Sequence, residues 1–156
     1  MADIVLIVIT AALLSLGAYN IFWQSQIQLR ANYAFGEIFW GAIIAVWMTT
    51  TGLHSWPLVV CTAAFVLIYV MAGVGGIGPN RLIGQGAFGR VFKYDTLKNI
   101  ALTPINARNG RGVVIAVFSF NRRNVQLIFK QPLETVLETL RGTVPASTRL
   151  TIQKIN

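Results

Sequence analysis

Three glycines in the middle of the chain have the spacing of a loop that covers the phosphates of a nucleotide. In the stretch GQGAFGRVFK, Gly84, Gly86, Gly89 and Val91 match the pattern G-x-G-x-x-G-x-V. Glycines let a backbone approach phosphate groups closely, so this stretch raises the question of phosphoryl transfer. Such a loop supplies neither a base nor a metal ligand, and the other residues of a phosphoryl-transfer site must lie elsewhere in the chain.

Those other residues are missing from the sequence. The strand-like run at residues 114–117 is followed by Phe118, where a protein kinase has its lysine. The chain contains two aspartates, Asp3 and Asp95, and neither lies in a His-Arg-Asp or an Asp-Phe-Gly motif. We therefore expect the glycines to form turns between structural elements, and we expect no kinase activity.

Other residue types that commonly do chemistry are few and isolated. His54 is the one histidine and Cys61 the one cysteine, so neither has the partners that a metal site or a disulfide requires. Glu134 and Glu138 are one turn apart on a predicted helix and lie off its apolar stripe, which is typical of a solvated helix face. We expect no catalytic residue, no metal and no cofactor.

The composition and the distribution of charge indicate two different halves. Of the 156 residues, 54% are hydrophobic and 12% are charged, which is too apolar for an ordinary soluble domain. Residues 1–80 contain one basic and two acidic residues and carry a formal charge of −1. Residues 81–156 contain twelve basic and three acidic residues and carry +9. The sequence therefore predicts a transmembrane domain at residues 1–80 and a basic domain at residues 81–156.

Apolar runs in the first half predict three transmembrane helices, at about residues 4–23, 37–53 and 57–78. The first run has no charged side chain and is long enough to cross a hydrocarbon core of about 30 Å. It lacks the basic n-region of a signal peptide, so we expect it to be retained. No ionisable group lies well within any of the runs, which argues against an ion-coupled transporter.

Basic residues near the predicted spans indicate a multi-pass orientation. Arg30 lies between the first and second runs, whereas Arg81, Arg90 and Lys93 follow the third, and the second and third runs are joined without a basic residue. Because cytoplasmic loops carry an excess of Lys and Arg, we expect the N-terminus outside and the basic domain in the cytoplasm.

The second half predicts a small sheet and one helix. Gly112–Phe120 and residues 125–130 read as strands joined by the turn Asn-Arg-Arg-Asn, and the tail from Arg149 alternates like an edge strand. Leu133, Val136, Leu137 and Leu140 have helical spacing after a proline. The predicted fold is a membrane α+β protein, with three transmembrane helices followed by a small cytoplasmic antiparallel sheet with one C-terminal amphipathic helix.

Residues 90–142 resemble the bacterial pleckstrin-homology-like domains that lie beneath a few transmembrane helices in small membrane proteins. The resemblance is carried by the order of the strands, by the hairpin FSF-NRRN-VQLIF and by the helix PLETVLETLRG. It implies a scaffold that binds proteins or lipids without catalysis, and a place in the bacterial cytoplasmic membrane.

The basic residues of the second half are candidate contacts for anionic lipid headgroups or an acidic partner. A Lys or Arg close to an anionic membrane surface contributes roughly 1 kcal/mol of attraction. The candidates near the membrane exit and at the hairpin tip are Arg81, Arg90, Lys93, Lys98, Arg122 and Arg123. The basic residues are dispersed and no nucleic-acid motif accompanies them, so we expect no nucleic-acid partner.

These features predict a membrane-anchored adaptor or accessory subunit. Its helices are expected to pack on an integral membrane protein or on a second copy, while the basic domain binds a protein or an anionic lipid. An alternative is a protein that confers immunity to a membrane-active peptide, and a weaker one is a self-assembled pore. The sequence does not separate these alternatives.

Overall fold

The computed structural model describes residues 2–50, 55–88, 90–106, 112–121 and 123–153. The chain forms two compact units, which we call the helical unit and the sheet unit. The helical unit comprises Met1–Ser25, Ala34–Gly73 and Gly86–Gly89. The sheet unit comprises Gln26–Tyr33, Val74–Gln85 and Arg90–Asn156.

The helical unit consists of three apolar helices, α1 (Ala2–Ser25), α2 (Phe35–Thr50) and α3 (Trp56–Ala72). Helix α3 contacts both of the others. Its first turn contains Pro57, which needs no backbone donor there. A small core forms where α3 meets α1, with Leu13, Cys61, Ala64 and Ile68 all buried. Helices α1 and α3 are joined again near their C-terminal ends, where the Gln24 side chain donates a hydrogen bond to the carbonyl oxygen of Met71 at 2.9 Å.

The prediction of three transmembrane helices is wrong. Among the described residues, one helix is long and apolar enough to cross a membrane, Asp3–Ser25 within α1, with a mean hydropathy of 2.2. This is a criterion of length and composition, which the core helix of a soluble protein or an N-terminal signal sequence also meets. Helices α2 and α3 have 16 and 17 residues. At 1.5 Å per residue they measure about 24–26 Å, less than the roughly 30 Å of a hydrocarbon core.

The predicted third span ends early because its last residues belong to a sheet. The apolar run at 57–78 was expected to be one helix, but α3 ends at Ala72 and Gly76–Ile77 form strand β2. Gly76 lies so close to a neighbouring strand that a Cβ there would overlap the carbonyl oxygen of Leu29. Hydrophobicity alone does not distinguish such a strand from the end of a helix. The predicted second span ended at 53, whereas α2 ends at Thr50. Residues 51–54, which include His54, lie outside the described residues.

The sheet unit contains two four-stranded sheets and a helix. The small sheet has the order β1-β2-β3-β4 and is antiparallel throughout, and the large sheet has the order β7-β6-β5-β8. The strands are β1 (Leu29–Arg30), β2 (Gly76–Ile77), β3 (Arg81–Ile83), β4 (Val91–Lys93), β5 (Leu97–Asn106), β6 (Gly112–Phe120), β7 (Asn124–Phe129) and β8 (Arg149–Ile152). A 3₁₀ turn at Tyr94–Thr96 joins β4 to β5, and helix α4 (Leu133–Thr143) follows β7. The α+β prediction is therefore confirmed.

The large sheet follows the sequence pattern closely. Strands β6 and β7 form the predicted antiparallel hairpin, and α4 buries Val136 and Leu140 from the predicted apolar stripe. One pairing differs, because β8 runs parallel to β5. The chain reaches that position by way of α4, since parallel neighbours require a long crossover connection.

One core fills the sheet unit. It contains fifteen buried residues, contributed by both sheets and by α4. Phe118, Leu127 and Phe129 of the large sheet are fully buried, and so are Ile77 and Leu82 of the small sheet. The dipeptide strand β1 belongs to this core through Leu29 although it precedes α2 in sequence.

Candidate anion-binding surface

Like charges face each other across two strands of the small sheet. Arg81 at the start of β3 pairs in register with Lys93 at the end of β4. The next pair in the ladder is Leu82 with Phe92, and Leu82 is fully buried. Because successive side chains of a strand point to opposite faces, Arg81 and Lys93 share the face opposite Leu82 and Phe92. Ile83 lies on the same face and is buried, so the face is covered at that end of β3. Two basic side chains side by side on one face attract anionic groups.

A third cation belongs to the same face. Leu29 of β1 lies in register with Ile77 on the core side, and its neighbour Arg30 is therefore on the other side. Arg30 is exposed, as is Lys93, and Arg81 is half-buried. Arg30 pairs with Gly76, which pairs with Ile83, so Arg30 is two strands and two residues away from Arg81. The two Cα atoms are therefore roughly 12 Å apart, which is more than the screening length at physiological salt. We call Arg30, Arg81 and Lys93 the cationic face.

The other predicted contact residues are placed elsewhere. Arg90 is buried, with 4% of its surface exposed, so it is not part of the cationic face. Lys98 is exposed on β5, at a bulge where the register with β6 shifts between Leu97 and Asn99. Arg123 is exposed at the β6–β7 turn, and Arg122 lies outside the described residues.

A small pocket lies beside that turn, and we call it the hairpin pocket. Its volume is about 260 Å³, and it is lined by Phe92, Thr96, Phe120, Asn121 and Arg123. The rings of Phe92 and Phe120 are stacked, with centroids 4.9 Å apart and an interplanar angle of 25°. The hairpin turn is closed by a hydrogen bond of 2.9 Å from the Phe120 amide to the carbonyl oxygen of Arg123.

Tyr94 fixes the end of the strand that carries Lys93. Its hydroxyl donates a hydrogen bond of 2.9 Å to the carbonyl oxygen of Gly78, in the turn between β2 and β3. This bond ties the start of β3 to the end of β4. Burial raises the pKa of Tyr94 above the ordinary value of 10.0, because the charged phenolate would lose its hydration.

We expect Tyr94→Phe to lower the free energy of unfolding at pH 8 by about 1 kcal/mol, because the Gly78 carbonyl loses its buried donor. The raised pKa means that the unfolded chain releases the Tyr94 proton first, so wild-type stability from this group is intact below pH 10 and is lost as the pH rises above it. The difference in free energy of unfolding between wild type and Tyr94→Phe should therefore be smaller at pH 10.5 than at pH 8. Denaturant titrations at both pH values measure it, and a difference that does not change with pH would contradict this account.

The glycine-rich stretch forms the connection between β3 and β4. The Gly84 amide donates to the carbonyl oxygen of Arg90 at 2.6 Å, which closes this loop. Gly86 has a φ of 128°, a conformation that side chains disfavour. Ala87 packs on the small core of the helical unit. Gly84 and Gly86 thus have structural reasons of their own, and Gly89 lies outside the described residues.

The remaining chemical candidates are dispersed. Glu134 and Glu138 are both exposed on α4, and Cys61 is buried among apolar side chains. Within the described ranges, no group of three or more His, Cys, Asp or Glu residues is placed to hold a metal ion.

Sequence reasoning missed two features of this region. Arg30 was used only to orient the chain, because a two-residue strand leaves no periodicity to detect. The hairpin pocket joins Phe92 to Phe120, which are 28 positions apart in sequence and meet only through tertiary packing. In the sequence, the predicted Asn-Arg-Arg-Asn turn was the one indication of a feature at the position of the hairpin pocket.

Comparison with protein-family models, with curated proteins and with solved structures finds no match to this chain. The resemblance to pleckstrin-homology-like domains therefore stays a prediction.

Proposed function

We propose that this protein is a non-catalytic adaptor, anchored in a membrane by α1, whose cationic face binds anionic lipid headgroups. The observation that carries the proposal is the placement of Arg30, Arg81 and Lys93 on one face of the small sheet, with Arg81 and Lys93 directly paired. All three come from strands that lie within a few residues of the helical unit in sequence.

The surface of α1 supports the anchor. In the most apolar 18-residue stretch of α1, 17% of the residues are buried, so most of its apolar side chains are not covered by other parts of the protein. Exposed apolar surface of this extent is rare in water and favourable in lipid. By the positive-inside rule, the side of α1 that carries Arg30 and the basic residues beyond it is cytoplasmic, and the N-terminus is outside.

Helix α2 supports the adaptor role. Phe39, Trp40 and Trp47 are each more than half exposed. A shallow groove of about 440 Å³ runs along this helix and is lined by Phe39, Ala42, Ile43, Val46, Trp47 and Thr50. Contiguous apolar surface of this kind marks a site for lipid or for another protein. We propose that a membrane protein, or a second copy of the chain, packs here.

The lipid-binding test compares two triple variants with the same change in charge. Arg30→Gln/Arg81→Gln/Lys93→Gln removes the cationic face, whereas Lys130→Gln/Arg141→Gln/Arg149→Gln removes two arginines and one lysine that are exposed elsewhere. The measurement is binding of phosphatidylglycerol to the full-length protein in a neutral detergent, by native mass spectrometry. At roughly 1 kcal/mol per cation, the first variant should bind at least tenfold more weakly than wild type, and the control should lose less than threefold.

Equal losses in both variants would show attraction by net charge alone and would overturn the cationic face as a site. The anchor is tested separately, by the intact mass of the mature protein and by its resistance to extraction at alkaline pH. Cleavage after the first helix, or release at alkaline pH, would overturn the anchor. The same mass spectra show whether a second copy or another membrane protein stays bound.

A further inference from the structure

The hairpin pocket is distinct from the cationic face, although both use strand β4. Phe92 lines the pocket on the core side of this strand, and its neighbour Lys93 pairs with Arg81 on the opposite side. The two sites therefore lie on opposite faces of the small sheet, and a variant of one face leaves the other's side chains in place.

The pocket lining combines one positive charge with an aromatic wall. Among the described residues that line it, Arg123 is the one ionisable residue and none is a carboxylate. A guanidinium offers several donors in a plane, which suits an oxyanion such as a phosphate or a carboxylate. The stacked rings of Phe92 and Phe120 give the ligand an apolar surface of ring size.

The neutral polar groups of the lining add hydrogen-bonding capacity. The Thr96 hydroxyl donates to the carbonyl oxygen of Lys93 at 3.0 Å, so its oxygen is left to accept a hydrogen bond. Asn121 carries both a donor and an acceptor and is exposed at the turn. The bond from the Phe120 amide to the Arg123 carbonyl oxygen fixes the backbone of Arg123 beside Phe120.

Size limits the ligand. At about 260 Å³, the pocket lies just below the range of roughly 300–1,000 Å³ that is common for drug-sized ligands. One ring or a short acyl group with one oxyanion fills such a space.

We propose that the hairpin pocket binds a small oxyanion that carries an aromatic or short apolar group, with Arg123 on the oxyanion and the Phe92–Phe120 stack against the apolar part. The oxyanion belongs either to a soluble compound or to the phosphate of a lipid. This site is independent of the proposed membrane function.

The probe is 4-fluorophenyl phosphate, followed by fluorine NMR with the full-length protein in a neutral detergent. We expect saturable binding at or below the millimolar range, and Arg123→Gln should weaken it at least fivefold because a charge-assisted bond is lost. The matched control is Arg149→Gln, another exposed arginine that does not line the pocket, which should bind within twofold of wild type. Both residues are exposed, so folding of the variants is not at risk.

Three further arms decide between explanations. Inorganic phosphate should compete at least tenfold more weakly than the aryl phosphate, since it lacks the apolar part; equal competition would reduce the site to a simple counter-ion site and overturn the proposal. The triple variant of the cationic face should keep aryl phosphate binding, which separates this proposal from the lipid-binding one.

Displacement of the probe by short-chain phosphatidic acid but not by phenylacetate assigns the oxyanion to a lipid, and the reverse assigns it to a soluble compound. Absence of saturable binding up to about tenfold above the expected millimolar range, or equal affinities of the Arg123 and Arg149 variants, would overturn the proposal.

Discussion

Replacing Gly76 by alanine should destabilise the sheet unit more than the same change at any other described glycine of this unit. A Cβ at this position would overlap the Leu29 carbonyl oxygen, and it would lie 2.5 Å from Cγ2 of Ile27. The obstructing carbonyl belongs to the backbone of β1 and has no rotamer by which to move away. Strand β1 must therefore separate from β2, which exposes Leu29. We expect a loss of roughly 3 kcal/mol, at the upper end for overpacking, and for a chain of 156 residues a Tm lower by about 6–12 °C.

The matched control is Gly142→Ala, in helix α4 of the same unit. A Cβ there has no neighbour within 4 Å, and alanine favours a helix over glycine. Thermal unfolding followed by circular dichroism in detergent should show the control at or slightly above the wild-type Tm. If Gly76→Ala also unfolds at the wild-type Tm, the close approach of β1 and β2 is refuted. Because Arg30 lies on β1, the same variant should also displace Arg30 from the cationic face and so weaken phosphatidylglycerol binding.

In the helical unit, Gly41→Ala should loosen the contact between α2 and α3. Gly41 is buried, and a Cβ there would lie 2.8 Å from the Cβ of Tyr69. The Tyr69 Cβ is fixed to the backbone of α3, so the two helices must move apart. We expect a loss of about 2 kcal/mol, a typical cost of overpacking. Thermal unfolding of the full-length protein in one detergent measures it.

Two glycines of the same unit provide controls. Gly36 lies on α2 as well, and a Cβ added there would have no neighbour within 4 Å, so Gly36→Ala should be neutral or stabilising. Gly17 lies on α1, and a Cβ there would be 3.6 Å from Cδ1 of Ile68, which is an ordinary van der Waals contact. If Gly36→Ala lowers the free energy of unfolding as much as Gly41→Ala does, the effect comes from the detergent and not from helix packing.

The sequence was most informative where one element has a long regular pattern. Strand β7 alternates Val125, Leu127 and Phe129 with residues directed outward, and its core-facing side chains pair with those of β6. Helix α4 presents Val136 and Leu140 one turn apart, and both are buried. Local periodicity is sufficient in these elements because a single face meets the core.

Short strands and long-range pairing limited the prediction elsewhere. Strand β2 has two residues, continues an apolar run that begins in α3, and is defined only by its partners β1 and β3. Arg90 was expected at the surface because arginine usually is exposed, yet it is buried. The cationic face depends on the same short strands, so its members were only partly recognisable: Arg81 and Lys93 were named, and Arg30 was not.

Strand β1 makes the order of synthesis important for this protein. Leu29 leaves the ribosome before α2 and α3, yet its partner Ile77 follows 48 residues later in the chain. Until then, the apolar face of β1 has no sheet to join, and the core that it completes also requires α4 near the C-terminus. A fragment that starts at residue 81 lacks both Leu29 and Ile77, so it should expose Leu82 and other core surface that binds chaperones or aggregates. The core of the sheet unit can therefore be completed only after nearly the whole chain has been synthesised.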